Sequence, residues 1–148
     1  MRKFVVTSVA LCAVILFGAD ARAQAPAPYG ETLNSETAKK AAAAAVEESK
    51  KNGWAMCVAV VAPSGDLVQF ERMDNCQFGS IVISQQCDPR IPLSGGAGLT
   101  ALTLDGIIAS EGGIPIVIGG KIVGGIGCSG GTGQQDGVAC QAGINAVK

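Results

Sequence analysis

The pattern of apolar and polar residues near the carboxyl end predicts a β-hairpin followed by a helix. Residues 114–118 and 122–126 are apolar runs rich in isoleucine and valine, and Gly119-Gly120 stands between them. Two glycines suit the positive φ angles that a tight hairpin turn requires. The second run leads into a glycine-rich corner at residues 127–131, and the Thr-Gly-Gln-Gln sequence that follows predicts a capping box for a helix over residues 134–147. The inward residues expected in that helix are Val138, Ala142 and Ile144.

The first part of the domain shows a helical pattern and then an extended one. Residues 37–51 are rich in alanine, follow an Asn-Ser cap sequence and end at Asn52-Gly53, so they are predicted to form a helix. Residues 54–62 are apolar on both faces, which predicts a central strand. Residues 67–73 predict the strand that returns from a turn at residues 63–66.

The middle of the chain predicts less regular structure. Residues 81–83 fit either the first turn of a helix or a short strand. Residues 84–98 contain two pairs in which a residue precedes proline, and also a Gly-Gly pair, which together predict a loop. Residues 99–104 predict a short strand before the turn at residues 105–106.

The amino terminus has the pattern of a secretory signal peptide. Two basic residues precede an apolar run at residues 4–17, and an Ala-Arg-Ala cleavage sequence follows. We therefore expect a signal at residues 1–23, a mobile Pro/Ala linker at residues 24–31 and one α+β domain at residues 32–148. An uncleaved anchor or a buried helix is the alternative, but the apolar run is short for a membrane span.

Composition and charge narrow the classes of partner that the protein is expected to bind. The chain of 148 residues is 48% hydrophobic but 4% aromatic, so its core must be mainly aliphatic. Cleavage of the signal removes three basic residues and one acidic residue from totals of 11 and 12, which leaves eight and eleven. A mildly acidic domain without a basic cluster argues against nucleic acid and anionic membrane surfaces as partners. A periplasmic or secreted location follows from the predicted signal.

Export would place the cysteines in an oxidising compartment, where disulfides form and persist. The cysteines outside the signal are Cys57, Cys76, Cys87, Cys128 and Cys140. Cys76 and Cys87 flank the irregular segment and are the predicted disulfide, with a redox-sensing pair as the alternative. Cys57 is expected to be a small buried apolar residue, and Cys128 and Cys140 are not expected to pair. The absence of a C-x-x-C sequence argues against a cysteine metal site.

Four segments together resemble the GlcG/HbpS-like family of small haem-binding-type domains, which also occur fused to corrinoid adenosyltransferases. They are residues 33–54, 58–74, 79–81 and 111–136, and the last, EGGIPIVIGGKIVGGIGCSGGTGQQD, is the most specific. The resemblance implies a profilin-like antiparallel sheet flanked by helices, a homo-oligomer, and haem or a related tetrapyrrole as ligand. Residues 84–96, SQQCDPRIPLSGG, depart from the family pattern where its ligand pocket is built, so no pocket residue is assigned there.

Candidate ligand contacts lie on both sides of this departure. The chain has no histidine, so iron ligation would fall to Met73, a thiolate or an oxygen donor. Arg72 matches a propionate because a guanidinium binds a carboxylate with two hydrogen bonds, although Arg72 on the surface and Met73 in the core are the alternative. The glycine corner, beside a helix N-terminus, suits an anionic group. The predicted cofactor contacts are Arg72, Met73, Phe78, Gly112, Gly113, Ser129 and Gly130.

An exported small-ligand-binding protein is the function that these features favour, for haem sequestration or redox-linked sensing. The alternatives are a non-binding accessory protein whose pocket is filled by residues 84–98, and an enzyme on a small acid or carbonyl compound. For an enzyme Glu111 would be the general base, with Ser129 or Arg72, but no partner accompanies it in sequence and a carboxylate that accepts backbone amides explains it as well. The G-x-G-x-x-G match at residues 125–130 follows a hairpin strand, which disfavours dinucleotide binding.

Overall fold

The computed structural model describes residues 28–86 and 110–148. The elements in chain order are α1 (Ser35–Lys51), β1 (Cys57–Val61), β2 (Leu67–Arg72), α2 (Phe78–Gln86), β3 (Gly113–Ile118), β4 (Lys121–Ser129) and α3 (Gly133–Asn145). The predicted signal, Cys87 and the strand predicted at residues 99–104 lie outside the described residues. The end of the predicted mobile linker is held in place, because Gly30 N–H donates to the Ile122 carbonyl over 2.8 Å and Ile122 N–H donates to Pro28 over 2.9 Å.

Helix α1 ends at Lys51 as predicted but begins two residues earlier than predicted, at Ser35, directly after its cap residue Asn34. The Asn34 side chain accepts the Thr37 N–H over 2.8 Å, which satisfies one of the free amides of the first turn. Asn52 closes the other end, and its side-chain amide donates to the Glu48 carbonyl over 2.8 Å. The inward face is alanine, with Ala38, Ala41, Ala42 and Ala45 fully buried. These short side chains let α1 lie close to its neighbours.

The four strands form one antiparallel sheet in the order β2-β1-β4-β3. Both predicted hairpins are confirmed, β1–β2 and β3–β4. At the β3–β4 turn Gly119 and Gly120 have φ of 57° and 76°, the left-handed conformation for which glycine is suited. The apolar strands β1 and β4 are therefore central, as two-sided burial of residues 54–62 predicts.

Alternation along β1 and β4 divides the core into two layers. Val58, Val60, Ile126 and Cys128 point to the face on which α1 and α3 pack against each other. Their neighbours in sequence point to the other face, which α2 covers across β1 and β4. The expected antiparallel sheet flanked by helices is confirmed.

Helix α2 resolves the ambiguous segment and corrects part of the loop prediction. Residues 81–83 are helical, and Ser84–Gln86, predicted to be loop, complete the helix. Ser80 and Ser84 lie on the buried face of the helix. The Ser84 hydroxyl donates to the Ile81 carbonyl over 3.1 Å, so this buried polar group is hydrogen-bonded within α2. None of the three helices in the described residues has the length and apolarity needed to cross a membrane.

Candidate functional site

The glycine corner joins β4 to α3 and is tightly packed. A Cβ added to Gly130 would lie 2.9 Å from the Met56 Cα, so a larger residue there would meet backbone. The predicted capping box is confirmed at the start of α3: Thr132 N–H donates to the Gln135 side chain over 2.9 Å, and Gln135 N–H donates to the Thr132 hydroxyl over 3.4 Å. These bonds use two of the amide donors that an anionic ligand would need.

The carboxylate of Asp136 accepts hydrogen bonds from two backbone amides of the corner. Its Oδ1 accepts the Gly131 N–H over 2.9 Å, and the Gly130 N–H also donates to the carboxylate. Asp136 is only 5% exposed. Burial raises the pKa of this carboxyl group, and the two amide hydrogen bonds oppose the rise. The anion that the glycine corner is built to hold is therefore part of the chain itself, a residue that the sequence interpretation missed.

The raised pKa of Asp136 predicts a pH-dependent contribution to stability. The folded state binds the proton of the Asp136 carboxyl group more tightly than the unfolded chain does, in which the pKa of this group is 3.8. The wild type should therefore gain stability relative to Asp136→Asn as the pH falls through the folded pKa towards 3.8, with no further gain below it. Urea unfolding of both proteins across this range measures the difference. A difference that shrinks as the pH falls would mean that the amide hydrogen bonds outweigh burial.

Gly112 and Gly113 lie beside the corner, where their contacts are structural. The Gly112 carbonyl accepts the Cys128 N–H over 2.9 Å. A Cβ added to Gly112 would lie 2.8 Å from the Asp136 Cβ. Gly113 opens β3 and pairs with Gly127. These contacts bring two predicted ligand residues together with the corner, but they fill the space around Gly112 with protein.

Glu111, the candidate general base, lies beside the first turn of α3. Its Oε2 would be 3.4 Å from a Cβ added to Gly133. A carboxylate at this end of a helix is stabilised by the helix dipole, which accounts for Glu111 without catalysis. Ser129, its proposed partner, is buried and pairs with Cys57 in the sheet, on the face that α2 covers.

A second group of predicted residues meets at the opposite edge of the sheet. The Arg72 guanidinium lies 5.3 Å from the centroid of the Phe78 ring, a cation–π contact, and donates to the Cys76 carbonyl over 3.2 Å. Phe78 is 82% exposed and Val82, one turn along α2, is 52% exposed. We refer to Arg72, Phe78 and Val82 as the apolar patch. Val82 was not among the predicted contacts, although its i, i+4 spacing from Phe78 could have indicated it.

Met73 is turned away from this patch towards the core. Its sulfur lies 3.4 Å from the Met56 amide nitrogen as a weak acceptor, and its side chain packs on the core between α1 and the sheet. This placement agrees with the alternative that Met73 packs in the core instead of contacting a ligand. Within residues 28–86 and 110–148, no cluster of three or more His, Cys, Asp or Glu residues could hold a metal ion.

Two disulfides replace the predicted pairing of the cysteines. Cys57 bonds to Cys76, with the two Cα atoms 5.9 Å apart, and Cys128 bonds to Cys140, with the Cα atoms 5.7 Å apart. The predicted Cys76–Cys87 bond is wrong, because Cys76 already has Cys57 as its partner. The expectations of a free Cys57 and of unpaired Cys128 and Cys140 are also wrong. All four bonded cysteines are buried.

The sequence and the fold match known proteins throughout the domain. The family described as "Haem degrading protein HbpS-like" matches residues 33–87 and 90–145. Protein GlcG of Escherichia coli strain K12 is 34% identical over 108 residues, which cover 66% of this chain and 81% of GlcG.

Two solved structures share the fold. A double mutant of HbpS from Streptomyces reticuli is 25% identical with a TM-score of 0.72, over 97% of this chain and 99% of HbpS. The crystal structure of a PduOC:heme complex, at 22% identity, has a TM-score of 0.64 over 79% of this chain and 96% of PduOC. Sequence and fold agree on one assignment. This chain belongs to the HbpS-like family.

Proposed function

We propose that this chain is an exported protein that binds haem or a related tetrapyrrole, for sequestration or redox-linked sensing. Membership of the HbpS-like family is the observation that carries the proposal. The haem-bound PduOC structure, which has the same fold, supports the choice of ligand. The family resemblance also implies a homo-oligomer, and we expect this protein to form one.

The side chains of the apolar patch suit the ring and the propionates of a tetrapyrrole. The ligand is a flat apolar ring that carries carboxylates. The patch offers an exposed aromatic ring and an aliphatic side chain one turn apart on α2, and a guanidinium at the end of β2. Burial of apolar surface stabilises the ring by about 25 cal/mol per Å². Arg72 can bind a propionate with two hydrogen bonds because its planar fork matches a carboxylate. We therefore place the ring at Phe78 and Val82 and one propionate at Arg72.

The glycine corner is a poorer place for the propionate. Its donors at Gly130, Gly131 and Thr132 are already bonded within the chain. A ligand carboxylate would have to displace the buried Asp136 carboxylate, which would then lose its hydrogen bonds. Of the two groups of predicted contacts, the apolar patch is the one that exposes a large apolar side chain, Phe78.

The disulfides support export. Cys57–Cys76 and Cys128–Cys140 would persist in the periplasm or outside the cell but not in a reducing cytoplasm. Expression of the full chain in a host with an oxidising periplasm tests both points, because the intact mass shows whether the accumulated protein begins at Gln24 and holds two disulfides.

Hemin titration of that protein tests the binding proposal. The wild type should show a saturable Soret change, and Phe78→Ala should weaken binding by about tenfold, since an aromatic contact of this size contributes about 1.5 kcal/mol. Val82→Ser should weaken binding by a smaller factor for the same reason.

Val138→Ser is the matched control, because Val138 is 50% exposed on α3, away from the apolar patch. It should bind hemin as the wild type does. No saturable change with the wild type would refute the proposal. Equal weakening by Val82→Ser and Val138→Ser would refute the placement of the ring.

A further inference from the structure

The turn between β2 and α2 places two residues of the apolar patch, and one buried residue anchors that turn. Arg72 ends β2 and Phe78 begins α2, with five residues between them. Between them Asp74, Asn75 and Gln77 are exposed, whereas Cys76 is 2% exposed. The Cys57–Cys76 disulfide therefore fixes an otherwise solvent-facing turn to the central strand β1.

The hydrogen bonds of the turn converge on the same residue. Cys76 N–H donates to the Met73 carbonyl over 3.1 Å, and the Cys76 carbonyl accepts from the Arg72 guanidinium over 3.2 Å. Asn75, directly before it, has φ of 64°, a left-handed conformation that a non-glycine residue adopts at some cost. A position held in this conformation depends on its surroundings, and the covalent bond at Cys76 is the strongest constraint nearby.

The second disulfide lies on the other face of the sheet. Cys128 pairs with Val58 in the register of β4 and β1, and both belong to the core beneath α1 and α3. Cys57, the residue before Val58, points to the opposite face because side chains alternate along a strand. The two disulfides are thus matched in burial but differ in what they hold: Cys128–Cys140 holds α3, and Cys57–Cys76 holds the turn beside the apolar patch.

We propose that the Cys57–Cys76 disulfide is a positioning element for ligand binding, which holds Arg72 and Phe78 in the arrangement that a tetrapyrrole needs. This inference rests on the proposed function. Without the bond the turn samples other conformations, and ligand binding must then order it again. The loss appears as weaker affinity in a protein that is still folded.

Hemin titration of two double variants tests the inference, each in the full chain expressed as above. Cys57→Ala/Cys76→Ala should bind hemin about tenfold more weakly than the wild type, a loss typical of ordering one or two side chains on binding. Its bound hemin should also give a weaker induced circular dichroism in the Soret band, a signal of ring orientation that loss of stability alone does not change. Cys128→Ala/Cys140→Ala should keep wild-type affinity within about twofold.

Equal affinities of the two double variants, at conditions where circular dichroism shows both folded, would overturn the inference. If Cys57→Ala/Cys76→Ala does not fold, Asn75→Gly loosens the same turn without touching the core, because glycine samples many backbone conformations besides the φ of 64° found here. It should weaken binding by about threefold, and unchanged binding would count against the inference. Failure of the wild type to bind hemin would instead refute the proposed function, so the two failures are distinct.

Discussion

Replacement of both Cys128 and Cys140 by alanine is expected to lower the free energy of unfolding by about 3 kcal/mol. The bond closes a loop with a sequence separation of 12 and joins the central strand β4 to α3. Its loss enlarges the conformational freedom of the unfolded chain, and in the folded state it removes two fully buried sulfur atoms from the core. Urea unfolding followed by circular dichroism measures the change.

Two comparisons separate the crosslink from the lost packing. Cys57→Ala/Cys76→Ala, unfolded with and without excess dithiothreitol, keeps both sulfur atoms of the Cys128–Cys140 pair but loses the bond on reduction, so the difference shows the effect of that crosslink alone. Cys57→Ala/Cys76→Ala removes a bond with a sequence separation of 19, for which loop entropy predicts a loss larger by only a few tenths of a kcal/mol. A change below about 1 kcal/mol for Cys128→Ala/Cys140→Ala would show that α3 is held by packing rather than by the bond.

Features set by local sequence were predictable. The β3–β4 hairpin follows from Gly119-Gly120 between apolar runs, and the carboxyl end of α1 and the start of α3 follow from their cap sequences. These signals act within four or five residues, so the sequence alone carries them. The antiparallel sheet followed from the two hairpins together with the family resemblance.

The cysteine pairing was not predictable because it depends on contacts that are distant in sequence. The sequence predicted a loop between Cys76 and Cys87, but α2 occupies residues 78–86 of that interval, and Cys76 is bonded to Cys57. The bond of Cys57 depends on how the β2–α2 turn folds back over β1, and that of Cys140 depends on how α3 docks on β4.

The buried face of α3 was mispredicted for a related reason. Val138, expected to point inward, is 50% exposed, and Ala142 is half-buried, whereas Ile144 is buried as expected. The inward stripe runs through Asp136, Ala139, Cys140, Gly143 and Ile144. Its spacing is helical, but its polar and small members carry little hydrophobic signal. Asp136 is inward because the glycine corner supplies amide donors, which hydropathy does not register.

Gly112→Ala is expected to lower the free energy of unfolding by about 3 kcal/mol, the upper part of the range for overpacking. The added methyl group would lie 2.8 Å from the Asp136 Cβ and closer still to the Cys128 carbonyl oxygen. Neither neighbour is the free end of a flexible side chain, so backbone must move. The movement would strain the 2.9 Å hydrogen bond from Cys128 N–H to the Gly112 carbonyl, which joins the entrance of β3 to β4.

Gly79→Ala is the matched control, because a Cβ at Gly79 meets no atom within 4 Å in the described part of the chain. Gly79 lies in the first turn of α2, where alanine is the better helix former, so this change should be neutral or stabilise by up to about 1 kcal/mol. The free energies of unfolding of the two variants, measured in urea against the wild type, should therefore change in opposite directions or differ by most of the 3 kcal/mol expected at Gly112. Similar free energies of unfolding would mean that the β3 entrance can relax around a methyl group, and that the close packing of Gly112, Asp136 and the glycine corner is not what fixes this end of the sheet.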